Sequence, residues 1–158
     1  MDLNLPKART VKKNAGFFKR LLALVLDLLI LNFVIFSSFE KIFLKYIDTN
    51  LSTVELITYF QSAETSVLVT TIFFMALLSL FYFTLFELKI GQTLGMMILK
   101  IRVEGELSFW KCALRNIFVF PFFPFYILWI VDPIHLAIRG TRFTELITKT
   151  NTVEEIHI

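Results

Sequence analysis

Residues 21–39 are apolar almost without a break, interrupted only by Asp27, Asn32 and two adjacent serines. A bilayer core is crossed by about 20 apolar residues in a helix, so this run predicts a first transmembrane helix over 21–39. Residues 66–86, SVLVTTIFFMALLSLFYFTLF, predict a second, ending at Glu87 and Lys89. A third apolar region, 109–138, is broken at FPFFPF, where Pro121 and Pro124 each remove a backbone donor. Such a break at membrane depth requires protein or water to satisfy the freed groups.

The segments between these runs alternate in character. Residues 1–20 carry Lys7, Arg9, Lys12, Lys13, Lys19 and Arg20, and the positive-inside rule keeps such a segment in the cytoplasm. In LSTVELITYF, Ser52 precedes Glu55 by three residues, a capping-box pattern, and Leu51, Val54, Ile57 and Phe60 follow at near-helical spacing. This predicts a short amphipathic helix on the outer surface. After the second span, Gly91 and Gly95 offer tight turns at the membrane edge. LKIRVE then alternates apolar and polar residues as a strand does. Gly105 turns it and Ser108 can cap the helix that follows. Residues 98–103 are expected to pair with 148–153 as a small hairpin-like patch. In DPIHLAIRG, Asp132 stands where an N-cap would, Pro133 in the first turn and Gly140 at the stop. The polar tail, 139–158, carries Arg139, Arg142 and Lys149. Three simple crossings would place this basic tail outside. Folding 109–138 back at its prolines, as a re-entrant or V-shaped pair, keeps it inside. The fold expected is therefore a single all-α integral membrane domain over 1–158, with both termini cytoplasmic.

Composition agrees. The 158 residues are 56% hydrophobic and include 19 phenylalanines, more than one small soluble core can bury. The single cysteine, Cys112, excludes an internal disulfide and a four-cysteine metal site, and reads as a small apolar residue at a helix start. The net charge of +3 comes from basic residues flanking apolar runs rather than forming a stripe, which points away from nucleic acid. The first apolar run is too long for a signal-peptide core and lacks a small-x-small cleavage site. His135 and His157 are too far apart in sequence to form a metal motif. GQTLG lacks the lysine and the preceding buried strand of a phosphate loop. No nucleophile–base pair, metal cluster or dinucleotide fingerprint is present, so neither an enzyme nor a cofactor is expected.

FFKRLLALVLDLLIL, LFELKIGQTLGMMILKIRVEG, LRNIFVFPFFPF and TRFTELITKTNTV occur in this order along almost the whole chain. The chain thereby resembles the RDD family of small prokaryotic membrane proteins, FELKIGQTLG with RVEG after it being the most specific part. The resemblance aligns Arg20 with the family's arginine and Asp27 with its first aspartate. It aligns Glu87, Gly91, Thr93 and Gly95 with the acidic–glycine motif, and Arg115 with the arginine opening the last apolar region. At the C-terminal motif Glu145 replaces an aspartate and keeps its charge. Thr148 and Lys149 replace a small residue and a glycine before the threonine–valine strand at Thr150 and Val153. The resemblance implies a prokaryotic cell membrane and, as function, only the proposed transport of ions or small ligands.

The charges sharpen this. Arg20 and Asp27 share one helix face, roughly 10 Å apart in rise, too far for a direct pair. Arg20 is expected to snorkel to the interface, so Asp27 needs another partner. Arg115 and Arg142 are the candidates, with Glu87 and Glu145 balancing the cluster. Asp27 is then either a pin pairing the first helix to the last, or a titrating carboxylate in a transport path. Glu87 reads as a solvated interfacial charge and Asp132 as a cap. The leading expectation is a transport-related protein for a monovalent cation or proton, in contact with the lipid bilayer and working as a homo-oligomer, since three helices rarely enclose a pathway alone. The alternative is a non-transporting adaptor that binds a membrane partner protein or anionic lipid through its cytoplasmic face.

Overall fold

The computed structural model describes residues 10–46 and 64–157; the surface helix expected around Leu51–Phe60 lies outside them. Strand β1 (Thr10–Asn14) leads into helix α1 (Phe17–Leu31), which continues through a π-helical stretch (Asn32–Phe36) into α2 (Ser37–Tyr46). The buried residues of α1 are Arg20, Ala23, Asp27 and Leu31, one stripe at helical spacing. Leu22, Leu29 and Phe33 on its other faces are exposed. Helix α3 (Glu64–Ile90) is apolar all round, and Thr70, Thr71 and Ser79 return their hydroxyls to carbonyls one turn back. Two stretches, Phe17–Lys41 and Ser66–Ile90, each of 25 residues, are long and apolar enough to cross a membrane. Both exceed the spans expected from the sequence.

Gly91, at φ 77°, turns the chain out of α3 into α4 (Leu94–Ile98), and β2 (Ile101–Glu104) follows. Ser108 caps α5 (Phe109–Asn116), accepting from the Lys111 amide as anticipated. Single 3-10 turns at Ile117–Val119 and Phe125–Ile127 flank the proline segment before α6 (Leu128–Arg139), which Gly140 ends at φ 71°. Helix α7 (Phe143–Thr148) and strand β3 (Asn151–His157) complete the described chain. Helix α6, at 12 residues, spans roughly 18 Å against a hydrocarbon core of about 30 Å. No helix in the proline-broken region is long enough to cross a membrane.

Two features differ from expectation. The strand patch is a three-stranded antiparallel sheet in the order β1-β3-β2, not a hairpin. Its pairs include Ile101↔Glu154 and Glu104↔Asn151, and Asn14↔Val153 from the basic N-terminal segment. That strand escaped the sequence reading because TVKKN shows no sustained alternation; its partner supplies the order. Second, α6 begins before DPI, so Asp132 and Pro133 lie inside it. The Asp132 carboxylate accepts from the amide of Thr144 at 3.1 Å and its hydroxyl at 2.9 Å. It tethers the start of α7 instead of capping its own helix. Lys149, which stands where the family motif has a glycine, is at φ 54°, a left-handed position where a glycine would relieve a cost of roughly 1 kcal/mol.

The sheet has a topological consequence. Helix α1 starts beside β1, α3 ends just before β2, and the tail forms the strand between them. The start of α1, the end of α3 and the tail therefore gather at one end of the helices. A small core of Ala15, Ala23, Met96, Ile101 and Val103 fills the junction.

Candidate functional site

Two polar centres, rather than one cluster around Asp27, occupy this end of the molecule. The first is Asp27 itself, 1% exposed. Its Oδ1 accepts from the Tyr82 hydroxyl at 2.8 Å and the Gly95 amide at 2.8 Å, and its Oδ2 from the Thr93 hydroxyl at 2.5 Å. Thr93 Oγ1 accepts in turn from the Met96 amide, capping α4. Asp27 thus joins α1, α3 and α4 through neutral donors, and no arginine among the described residues bonds to it. This corrects the expected pairing with Arg115 or Arg142. Arginines are longer than the gap available: α4 packs directly on α1, and small donors reach the carboxylate first.

That close packing explains Gly95. A Cβ there would stand 2.3 Å from the Ala23 carbonyl oxygen and 2.9 Å from Asp27 Cγ and Oδ2. Gly95 lies in a helix and provides room for a backbone contact; only Gly91 serves as the turn expected of both.

The second centre joins two arginines and two glutamates. Arg20, expected to snorkel, is 2% exposed. Its Nη1 donates to both carboxylate oxygens of Glu145, at 2.9 and 2.8 Å, while Nε and Nη2 donate to the carbonyls of Ala15 and Thr152. Arg115, fully buried, donates from Nε to Glu87 Oε1 at 3.2 Å, from Nη1 to Thr150 at 3.0 Å and from Nη2 to Thr152 at 2.5 Å. Its Nη2 also lies 3.2 Å from Glu145 Oε1. Glu87 Oε2 accepts from Asn116 at 2.8 Å. Glu87 is therefore no solvated interfacial charge: α3 runs on to Ile90, which carries the side chain under α5. Charges of both signs are buried together with nearly every hydrogen-bonding position filled, the condition under which burial of ions is tolerated.

Electrostatics follow the geometry. Burial alone would raise the Glu145 carboxyl, but Arg115 and Arg20 outweigh it and, with the Thr152 hydroxyl, hold it at about 2. Burial, then the Glu87 charge, pushes the Cys112 thiol up to about 11, consistent with a packed, unreactive cysteine. Because the Glu145 value lies below its usual 4.5, its contribution is complete above about pH 5 and is lost as pH falls toward 2. The difference corresponds to on the order of 3 kcal/mol. Thermal unfolding in detergent should therefore fall steeply over that window, and Glu145→Gln should flatten the fall. Equal slopes in the two proteins would remove Glu145 as its source.

Arg142 behaves differently. Its backbone amide donates to Glu145 Oε2 at 3.0 Å. Its guanidinium lies 5.9 Å from the Phe118 ring centroid and makes no hydrogen bond or ion pair among the described residues. Burial and the Arg115 charge lower its pKa, Arg20 adding to them against Glu145 and Glu87.

Sequence reasoning missed Tyr82, Asn116 and Thr152. Tyr82 had a signal, since a tyrosine inside an apolar helix needs a partner for its hydroxyl. So did Asn116, a second polar residue beside Arg115 in an apolar stretch. Thr152 had none, because its role arises from strand register. Among the described residues no group of three or more His, Cys, Asp or Glu could hold a metal ion.

A family model described as the RDD family matches residues 14–144. No curated protein and no solved structure matches the chain.

Proposed function

The chain belongs to the RDD family and is a membrane protein with two apolar helices; from that premise we propose that it is a non-catalytic, non-transporting adaptor. In this reading the helices anchor a charge-locked cap on the cytoplasmic face of a prokaryotic plasma membrane, and the cap presents the binding surface. The basic N-terminal segment and tail, joined in one sheet, favour that orientation. The proline-broken region enters the membrane only partway and returns.

The observation that carries the reading is the enclosure of Asp27. A carboxylate in an ion path must meet water and exchange its partners. Here both oxygens are taken by donors on α3 and α4, and the side chain is 1% exposed. A pin between helices needs only such pairing. The cap surface, by contrast, offers exposed groups, including Trp110 and Ile98 at 75% and 63% exposure.

Proton, sodium and potassium flux into liposomes carrying the purified protein tests this. Wild type and Asp27→Asn, each verified as folded by size exclusion, should both match empty vesicles. Asparagine can still accept from Gly95, so the variant should fold with reduced stability. Ion flux in wild type that disappears in folded Asp27→Asn would restore the transport reading.

A further inference from the structure

Alongside α1 lies a cavity of about 540 Å3, bounded by α1, α3 and α6. Its wall is almost wholly apolar, with Leu24, Leu28 and Leu31 on one side and Met75 and Ala76 on another. It follows α1 from Phe17 to Leu31, roughly 20 Å of helix. Spread over that length, the volume leaves a cross-section on the order of 25 Å2, the width of one hydrocarbon chain.

One end of the slot is polar. Arg20, Asp132 and Arg142 line it. Arg20 is neutralised by Glu145, and both oxygens of Asp132 are occupied by Thr144. The Arg142 guanidinium donates to no acceptor among the described residues and lines the slot. The buried charges of the second centre, Arg20 and Arg115 against Glu87 and Glu145, cancel. Asp132 keeps its negative charge beside Arg142, since Thr144 supplies only neutral donors; Arg142 is the cation at this end of the slot whose guanidinium donors no carboxylate among the described residues takes.

We propose that this cavity binds one phospholipid from the surrounding bilayer, an acyl chain in the slot and the phosphate on Arg142. The ligand class follows from the two halves of the site. An apolar slot of this width accepts a hydrocarbon chain, and a guanidinium with free donors binds a phosphate through paired hydrogen bonds. The second acyl chain stays in the bilayer. This site is separate from the cap surface and stands whether or not the protein transports ions.

The test is lipid binding to the purified full chain in detergent, followed by native mass spectrometry with phosphatidylglycerol and diacylglycerol of identical chains. One phosphatidylglycerol per chain is expected, bound at least about tenfold more tightly than diacylglycerol, which has the same chains and no phosphate, since a charge-assisted bond to phosphate is worth roughly that factor. Glycerol phosphate, which has a headgroup and no tail, should not compete. Arg142→Gln removes no structural hydrogen bond, so it should keep the lipid-free unfolding temperature and lose the preference, while Arg142→Lys should retain part of it. Equal affinity for the two lipids in wild type overturns the proposal without recourse to any variant. So does an undiminished preference in Arg142→Gln, which would place the anionic lipid on the surface lysines, and so does competition by glycerol phosphate, which would make this a free-anion site.

Discussion

Replacing Arg115 with methionine is expected to cost about 3–5 kcal/mol of folding stability, the usual consequence of removing one partner from a buried ionic group. Among the described residues Arg115 is the one side chain that touches both glutamates of the second centre, at 3.2 Å in each case, and it also holds the hydroxyls of Thr150 and Thr152. Without it Glu87 keeps only Asn116, and its negative charge sits at a fully buried position with no cation in contact. Glu145 fares better, because the two bonds from Arg20 remain. The damage should therefore concentrate on Glu87. Adding Glu87→Gln to Arg115→Met should recover part of the loss, with a coupling on the order of 1–3 kcal/mol. Denaturant titration of the four proteins of that cycle in mixed micelles reads this directly. Strict additivity would mean that the two side chains do not act as a pair.

Gly95→Ala should be comparably severe, for a different reason. The added methyl meets the Ala23 carbonyl oxygen at 2.3 Å, and backbone cannot swing aside as a long side chain can. The overlap is relieved only by moving α4 off α1. That movement stretches the bonds from Gly95 and Thr93 to Asp27, leaving a buried carboxylate short of donors. Overpacking and lost hydrogen bonds together suggest about 3–5 kcal/mol. Gly16→Ala is the matched control: nothing lies within 4 Å of its added Cβ, and its φ of −65° suits any residue. As the N-cap of α1, where glycine is preferred to alanine, it should lose about 1 kcal/mol, well short of the loss at Gly95. Similar unfolding curves for the two variants would show that α1 and α4 are not packed as closely as described.

The two losses have one origin. Each polar centre fastens the membrane helices to the small elements at their end: Asp27 ties α1 to α4 and α3, and Arg20 ties α1 to α7 and β3. The sheet brings the N-terminal segment and the tail together, so the centres close a single junction. An apolar helix in lipid gains little by packing on another apolar helix, and interhelical polar contacts take over that task. This chain places such contacts where the helices meet the cap.

The sequence by itself determined the membrane class and both long helices, because twenty apolar residues in a row have few alternatives. It also determined the turns at Gly105 and Gly140, the cap at Ser108, and the identities of the charged residues, through local spacing and family motif. The pairing of those charges was decided only by tertiary structure. Arg115 and Arg142 were equal candidates for Asp27 by chemistry, and neither bonds to it, because Gly95 lets α4 lie against α1 and brings Thr93 and an amide closer than any arginine. The strand Thr10–Asn14 likewise depended on β3, a partner some 140 residues away. Periodicity reports which face of an element is apolar. It does not report which distant element will cover that face, and the partner of every buried charge here lies on another element.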